Sequence, residues 1–347
     1  MALSKAKLQD SDLTESRAAI NTSQKRGIRL LADKNRRPLS ALFVFVVMML
    51  IFTIANPGMF LSPSIYGTIF ESLPIRIILV IPLVFVIAAG ETDLSFAATL
   101  RVSTWVFAAM IVAGWNPFLS AVLAIAAGAG IGLLNGLIVT RIGLSSLVTT
   151  LGMAFLLEGL VSGGSKGNVI SLPFLKDTAI HKVFAGSLGG FPIQMIWGLL
   201  VAGIGLILFN AHRFGARICC VGDNLESAQE MGINVTRVKT LAFVYVGLSA
   251  GMAGVLSTLI YGSFWPGAGA PFEMVLIVLA SVFIGGTPTW GGIGTVAGAI
   301  FGACTVRFIE TGIIAAGLTG FYTQLCNGVI IILALLGHKL NEPRYRF

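Results

Sequence analysis

Residues 77–90 read Ile77-Ile78-Leu79-Val80-Ile81-Pro82-Leu83-Val84-Phe85-Val86-Ile87-Ala88-Ala89-Gly90, the centre of an apolar run that extends from 65 to 89. A helix needs roughly 20 largely apolar residues to cross the hydrocarbon core of a bilayer. This run is long enough. Comparable stretches lie at 39–60, 95–114, 117–140, 145–163, 191–210, 238–261, 273–285, 293–313 and 319–336, so the chain is read as an all-α polytopic membrane protein with about ten transmembrane helices. The composition agrees: 56% of the 347 residues are apolar, 11% are Asp, Glu, Lys or Arg, and 42 are Gly, which leaves too little polar surface for a water-soluble globule.

Three segments follow. Residues 1–38 are polar and basic, with no apolar stretch and cleavage site of a secretory signal, and are expected to be a cytoplasmic tail acting as a topology anchor. Residues 39–337 form the transmembrane domain, interrupted by polar breaks at 164–190 and 211–237, and 338–347 form a second cytoplasmic tail. Nine Lys and Arg precede Pro38, one is Arg141, four lie in 211–240 and three in the C-terminal tail, against three (Lys166, Lys176 and Lys182) on the opposite side. Cationic loops resist translocation, so both termini are expected in the cytoplasm, and the net charge of +8 reads as an insertion signal and a contact with lipid headgroups rather than affinity for nucleic acid.

Gly128, Gly132 and Gly136, Gly247 and Gly251, and Gly298 and Gly302 recur at four-residue spacing, which clears one helix face for close packing. Gly132, Gly136 and Arg141 reappear at an offset of 166 as Gly298, Gly302 and Arg307, a trace of an inverted repeat of the kind many transporters use.

Charges inside the spans each call for a partner or a water-filled cavity: Glu71, Arg76, Arg101, Glu158, Glu273, Arg307 and Glu310. Arg307 and Glu310 have the spacing of an intrahelical pair, Pro74 between Glu71 and Arg76 suggests a kinked, hydrated site, and Glu158 either faces a cavity or pairs with Arg101. Two Gly-rich interruptions, 90–95 and 285–292, place irregular backbone where it must be buried in protein or line a path. Asp93 or Ser95 would cap the following helix. Glu91, Asp93, Ser95, Glu158 and Thr287 are accordingly the expected translocation-pathway residues.

Nothing points to an enzyme. Cys219, Cys220, Cys304 and Cys326 have no C-x-x-C spacing, and His181, His212 and His338 are scattered, so neither a disulfide framework nor a metal site is expected. No nucleophile and base stand at a recognisable spacing. The absence of a G-x-x-x-x-G-K-[ST] sequence means that this chain is expected to bind no cofactor, and any ATP and Mg would be used by a partner.

Between the sixth and seventh spans, Asp223 followed by Glu226 has the spacing of a capping box, and Gly232 fits a left-handed stop. A surface helix is therefore expected at 224–231. It is too short to be stable alone, so it should dock against something.

The order Phe214-Gly215 … Val221-Gly222-Asp223-Asn224 … Ala228 … Gly232-Ile233-Asn234-Val235 … Lys239 resembles the cytoplasmic coupling loop of the ribose-type permeases of bacterial sugar ABC importers, and 90–95, Thr150-Leu151-Gly152-Met153 and Phe283-Ile284-Gly285-Gly286-Thr287 … Gly291-Gly292 extend the likeness over about 65–336. The resemblance implies a permease subunit in the bacterial inner membrane that moves a monosaccharide or similar polar solute. It implies two ABC ATPase subunits, a second permease copy or paralogue, and a periplasmic or lipid-anchored sugar-binding protein as partners. Asp223, Asn224, Glu226, Ala228, Glu230 and Gly232 would couple to the ATPase. Glu91, Arg76, Pro82 and Arg101 depart from the pattern usual in such permeases. The alternatives are a related permease for branched-chain amino acids or nucleosides, and an ion-coupled secondary transporter using Glu71, Glu158 and Glu273.

Overall fold

The computed structural model describes residues 36–266 and 271–315, together with 317, 322–326, 328, 329, 332 and 336. The basic tail through residue 35, half of the tenth expected span at 319–336 and the C-terminal tail lie outside the described residues.

The first nine expected spans are all helices: α1 (Arg36–Ala55), followed by a single turn α2 (Pro57–Phe60), then α3 (Pro63–Ala88), α4 (Phe96–Val112), α5 (Pro117–Leu137), α6 (Ser146–Ser165), α8 (Ile193–Asn210), α11 (Val235–Tyr261), α12 (Pro271–Ile284) and α13 (Val296–Ala315). A π-helical turn, Ile138–Ile142, extends α5, and the shorter α7 (Ala179–Phe184), α9 (Arg213–Asp223) and α10 (Leu225–Glu230) occupy the two polar breaks. Seven of the helices are long and apolar enough to cross a membrane, and α4 and α12 are shorter apolar helices.

Residues 77–88 of the quoted run lie in α3, the most buried of the seven. Ile77 to Ala88 are all buried, against α8, α11 and α13. In contrast α1 turns Phe43, Ile51 and Ile54 outward, and α6 does the same with Val148, Phe155 and Leu160. In water such surfaces would drive association; in lipid they are the solvated face.

Glycine spacing sets the closest contact, between α5 and α11. A methyl group at Gly136 would sit 2.8 Å from Thr240 Cα, and one at Gly251 would sit 2.8 Å from Ile125 Cα. The backbones touch, which only small residues allow. Gly298 and Gly302 pack α13 on α12 in the same way, but Arg141 is exposed while Arg307 is half-buried in an ion pair. The glycine members of the 166-residue echo thus share a job, and the arginines do not.

The break at 164–190 folds over one end of the bundle. β1 (Ile170–Ser171) pairs antiparallel with β4 (Ser263–Phe264), which follows α11, and β2 (Ser187–Leu188) pairs with β3 (Phe191–Pro192) across Gly189-Gly190. Both glycines have positive φ, 58° and 85°, the backbone that a two-residue hairpin turn needs. Leu172, Leu175 and Ile180 close a second apolar cluster with Phe107, Leu259 and Phe264. Here burial and neighbouring Lys176 push the His181 imidazole down, so at neutral pH the positive charge of this cap comes from its lysines.

Candidate functional site

The other break, 211–237, holds two helices where one was expected. His212 caps α9, its Nδ1 accepting the Phe214 N–H at 3.1 Å, and α9 runs through Asp223. Asp223 is therefore helical and cannot be the cap of the next helix. That role falls one residue on, to extended Asn224 (φ −150°, ψ 112°), whose Oδ1 accepts the Ser227 N–H at 3.0 Å. The stop is as expected: Gly232 has φ 77°, its N–H donates to Gln229 O at 2.9 Å, and the Ile233 N–H donates to Ala228 O at 3.0 Å. This pair of bonds is a Schellman closure. An Asn224→Ala variant is expected to lose about 1 kcal/mol of local stability, read as faster amide exchange of Ser227 with the transmembrane helices unchanged.

On α10, Glu226 and Glu230 point outward beside exposed Leu225 and Met231, whereas Ala228 is fully buried. Of the six expected coupling residues, Ala228 anchors the helix to the body, and Asp223 ends the preceding helix. Asn224 and Gly232 shape its two ends. Glu226 and Glu230 are outward charges on the helix itself, and exposed Asp223 adds a third just before it. In α9, burial raises the Cys219 thiol to about 11, so it stays protonated at physiological pH.

The loop and both Gly-rich breaks meet at one point. The Gly292 N–H donates to Ala88 O at 2.9 Å, and Gly222 lies against both of these atoms. A methyl at Gly291 would be 2.8 Å from Gly222 O and 2.9 Å from Gly90 Cα. Side chains brace the irregular backbone: the Thr92 N–H donates to Ser146 Oγ at 3.1 Å, the Leu94 N–H to Thr150 Oγ1 at 3.0 Å and the Thr295 N–H to Thr287 Oγ1 at 3.1 Å. Asp93 Oδ1 accepts from the N–H and the hydroxyl of Ser95, both at 2.7 Å, and Ser95 Oγ accepts from Asn135 Nδ2 at 2.8 Å. The Ser95 hydroxyl makes no capping bond to α4. Buried backbone groups need such partners. Thr150→Val should cost about 1–3 kcal/mol through the orphaned Leu94 N–H, seen as a lower melting temperature in detergent.

Glu91 pairs with Lys239 at 2.5 Å, at the start of α11. Glu158 pairs with Arg101 at 2.6 Å, which settles that alternative in favour of the ion pair. Arg76 reaches not Glu71, which is exposed, but Glu310, at 2.6 Å. The expected Arg307–Glu310 pair forms too, at 3.4 Å.

A cavity of ≈ 750 Å³ lies between α3, α4, α11, α12 and α13. Its mouth carries Tyr261 and Trp265, at the far end of α11 from α10; 27 helical residues separate the two, roughly 40 Å. Arg76, Arg101, Arg307 and Glu273 line it, with Ser72, Thr104 and Ser257. None of Glu91, Asp93, Ser95, Glu158 and Thr287 does. The first three and Thr287 brace the breaks, and Glu158 stands behind Arg101. The lining arginines are all among the charges noted within the spans, but nothing local distinguished them from the glutamates.

Helices long enough to cross a membrane, glycine-tight packing and an outward capped helix describe a permease, and the family model for the branched-chain amino acid transport system / permease component matches residues 65–335. The chain belongs to that family. Among relatives of this permease, the ribose import permease protein RbsC of Bacillus subtilis is 31% identical over 86% of this chain and 91% of its own length. The D-allose transport system permease protein AlsC of Escherichia coli is 31% identical over 86% and 90%, and the L-arabinose ABC transporter permease protein AraH of Azospirillum brasilense 29% over 87% and 88%. No solved structure matches it.

Proposed function

We propose that this permease is the membrane-spanning subunit of an ATP-driven importer, and that it carries a monosaccharide or a similarly small polar solute inward. The observation that carries the reading is α10, a capped helix whose Leu225, Glu226, Glu230 and Met231 face outward while Gly222 just before it is wedged against both Gly-rich breaks. A push on α10 is thereby delivered to the ends of α3, α12 and α13, three of the five helices that wall the cavity. The names of the relatives supply the solute class, and the cavity has the size and mixed lining of a small-molecule site.

Two ATPase subunits, using ATP and Mg, would each receive one α10 from this chain and from a second copy or paralogue. Their closure would drive a rigid-body switch between inward-open and outward-open bundles. A sugar-binding protein, periplasmic or lipid-anchored, would deliver solute at the Tyr261–Trp265 end, and the basic tail would hold the termini on the cytoplasmic side of a bacterial inner membrane. Glu158, tied to Arg101 at 2.6 Å, is not a free carboxylate for ion coupling, which counts against a secondary transporter.

The test is a Glu226→Arg/Glu230→Arg double variant of the affinity-tagged permease, purified from its own membranes. Insertion and melting temperature should match the parent, with retained ATPase subunits falling at least tenfold; full retention would overturn the reading. Orientation is checked separately in a cysteine-free background. Lys176→Cys should react with an impermeant maleimide on intact cells, and Glu226→Cys only after permeabilisation.

A further inference from the structure

We infer that the cavity is built to hold an anion, and that its solute is an acidic polyol, a sugar acid, whose carboxylate sits on Arg76 and Arg307. The inference rests on the importer reading and narrows its substrate. Among the described residues, the cavity wall carries three arginines and a single carboxylate, Glu273. The counter-ions of the arginines are not on that wall: Glu158 and Glu310 stand behind it.

The two sites differ in their charge balance. Arg101 meets Glu158 one to one and also donates to Pro266 O at 3.0 Å. Arg76 and Arg307 share one carboxylate, since Glu310 Oε2 receives Arg76 Nη2 at 2.6 Å and Arg307 Nη1 at 3.4 Å. One negative charge between two guanidinium groups leaves this cluster one positive charge in excess, and Glu273 on the cavity wall forms an ion pair with neither arginine. The longer arm of the pair marks Arg307 as the less firmly held cation. Donors outnumber acceptors as well: Arg76 Nη1 and Arg307 Nε are buried without hydrogen-bond partners, against one such acceptor in the cluster, Glu310 Oε1. A guanidinium presents five N–H donors in a planar fork that matches a carboxylate. A neutral sugar would leave both the charge and the fork unmatched.

The rest of the wall suits a polyol. Ser72 and Ser257 offer hydroxyls, and Glu273 is an acceptor that a sugar hydroxyl can use. Trp265 and Tyr261, 57% and 62% exposed, add aromatic rings to the lining.

The experiment uses the whole importer, the permease with the ATPase and binding protein that copurify with it, in proteoliposomes with ATP on the ATPase side. The probes are radiolabelled D-gluconate and D-glucuronate against D-ribose and D-glucose. At least tenfold faster uptake of an acid than of either neutral sugar is expected. Arg307→Gln removes the surplus charge and leaves the Arg76–Glu310 pair in place. It should cut acid uptake at least tenfold, with assembly of the ATPase subunits and melting temperature unchanged, and Arg307→Lys should restore part of it. Faster uptake of a neutral sugar, uptake of no acid, or an unaffected Arg307→Gln variant would overturn the inference and leave the importer standing. Accumulation without ATP would instead sink the importer reading itself.

Discussion

Gly222→Ala should uncouple the permease and destabilise it far more than Gly232→Ala, although both glycines lie in the same loop. At Gly222 the added methyl would be driven into Ala88 O and would stand 2.6 Å from Gly292 N, the two atoms joined by the 2.9 Å bond that ties the second break to the end of α3. Both obstacles are backbone, so no side-chain rotation can relieve them. Overpacking costs about 1–3 kcal/mol, and a buried donor losing its acceptor costs about 1–3 kcal/mol more. At Gly232 a methyl meets nothing within 4 Å, and the only obstacle is the positive φ of 77°. Left-handed backbone costs a non-glycine residue about 1–2 kcal/mol. The measurements are the melting temperature in detergent and the nucleotide dependence of solute uptake. Equal losses in the two variants would show that the Gly222 junction transmits nothing.

That junction is also where reading along the chain has its limit. The nine described spans were legible because hydrophobicity is a local property: α3 or α8 announces itself within its own residues. The helix at 225–230 was legible for the same reason, through Gly232 and the polar residues near its start. The cap was placed on Asp223 instead of Asn224 because α9 was not foreseen; Gly215 and Gly222 lower its helix propensity, and both are there for contacts with distant backbone, Gly215 against Phe209 O and Gly222 against Ala88 O. Which charges line the cavity was not legible because of distance. Arg101 and Glu158 are 57 residues apart and Arg76 and Glu310 are 234, so nothing near Glu158 reveals that its charge is already taken. The Asp93–Ser95 bond is local, two residues apart, whereas Asn135, which donates to Ser95, lies 40 residues on. Charge in a span signals that a partner or cavity exists, and only the packing says which.

Glu310→Ala is the second substitution from which a large effect is expected, because it strands two cations at once. Removing one partner of a buried ion pair costs about 3–5 kcal/mol, chiefly through the charge left behind. Here Arg76 and Arg307 would both remain, on α3 and α13, with their shared carboxylate gone and their repulsion unrelieved. The melting temperature should fall steeply, and more than for Glu158→Ala, where a single arginine is stranded and Pro266 O still accepts from it. The cost lies in the imbalance rather than in the lost contact, which a third variant isolates. Replacing Arg76, Arg307 and Glu310 together by Met or Leu removes every charge of the cluster at similar volume, and such replacements are often neutral or stabilising. This triple variant should therefore melt at or above the parent while failing to transport. If it melted as low as Glu310→Ala, the cluster would be a structural pin between α3 and α13; recovery of stability without recovery of transport assigns its charges to the solute.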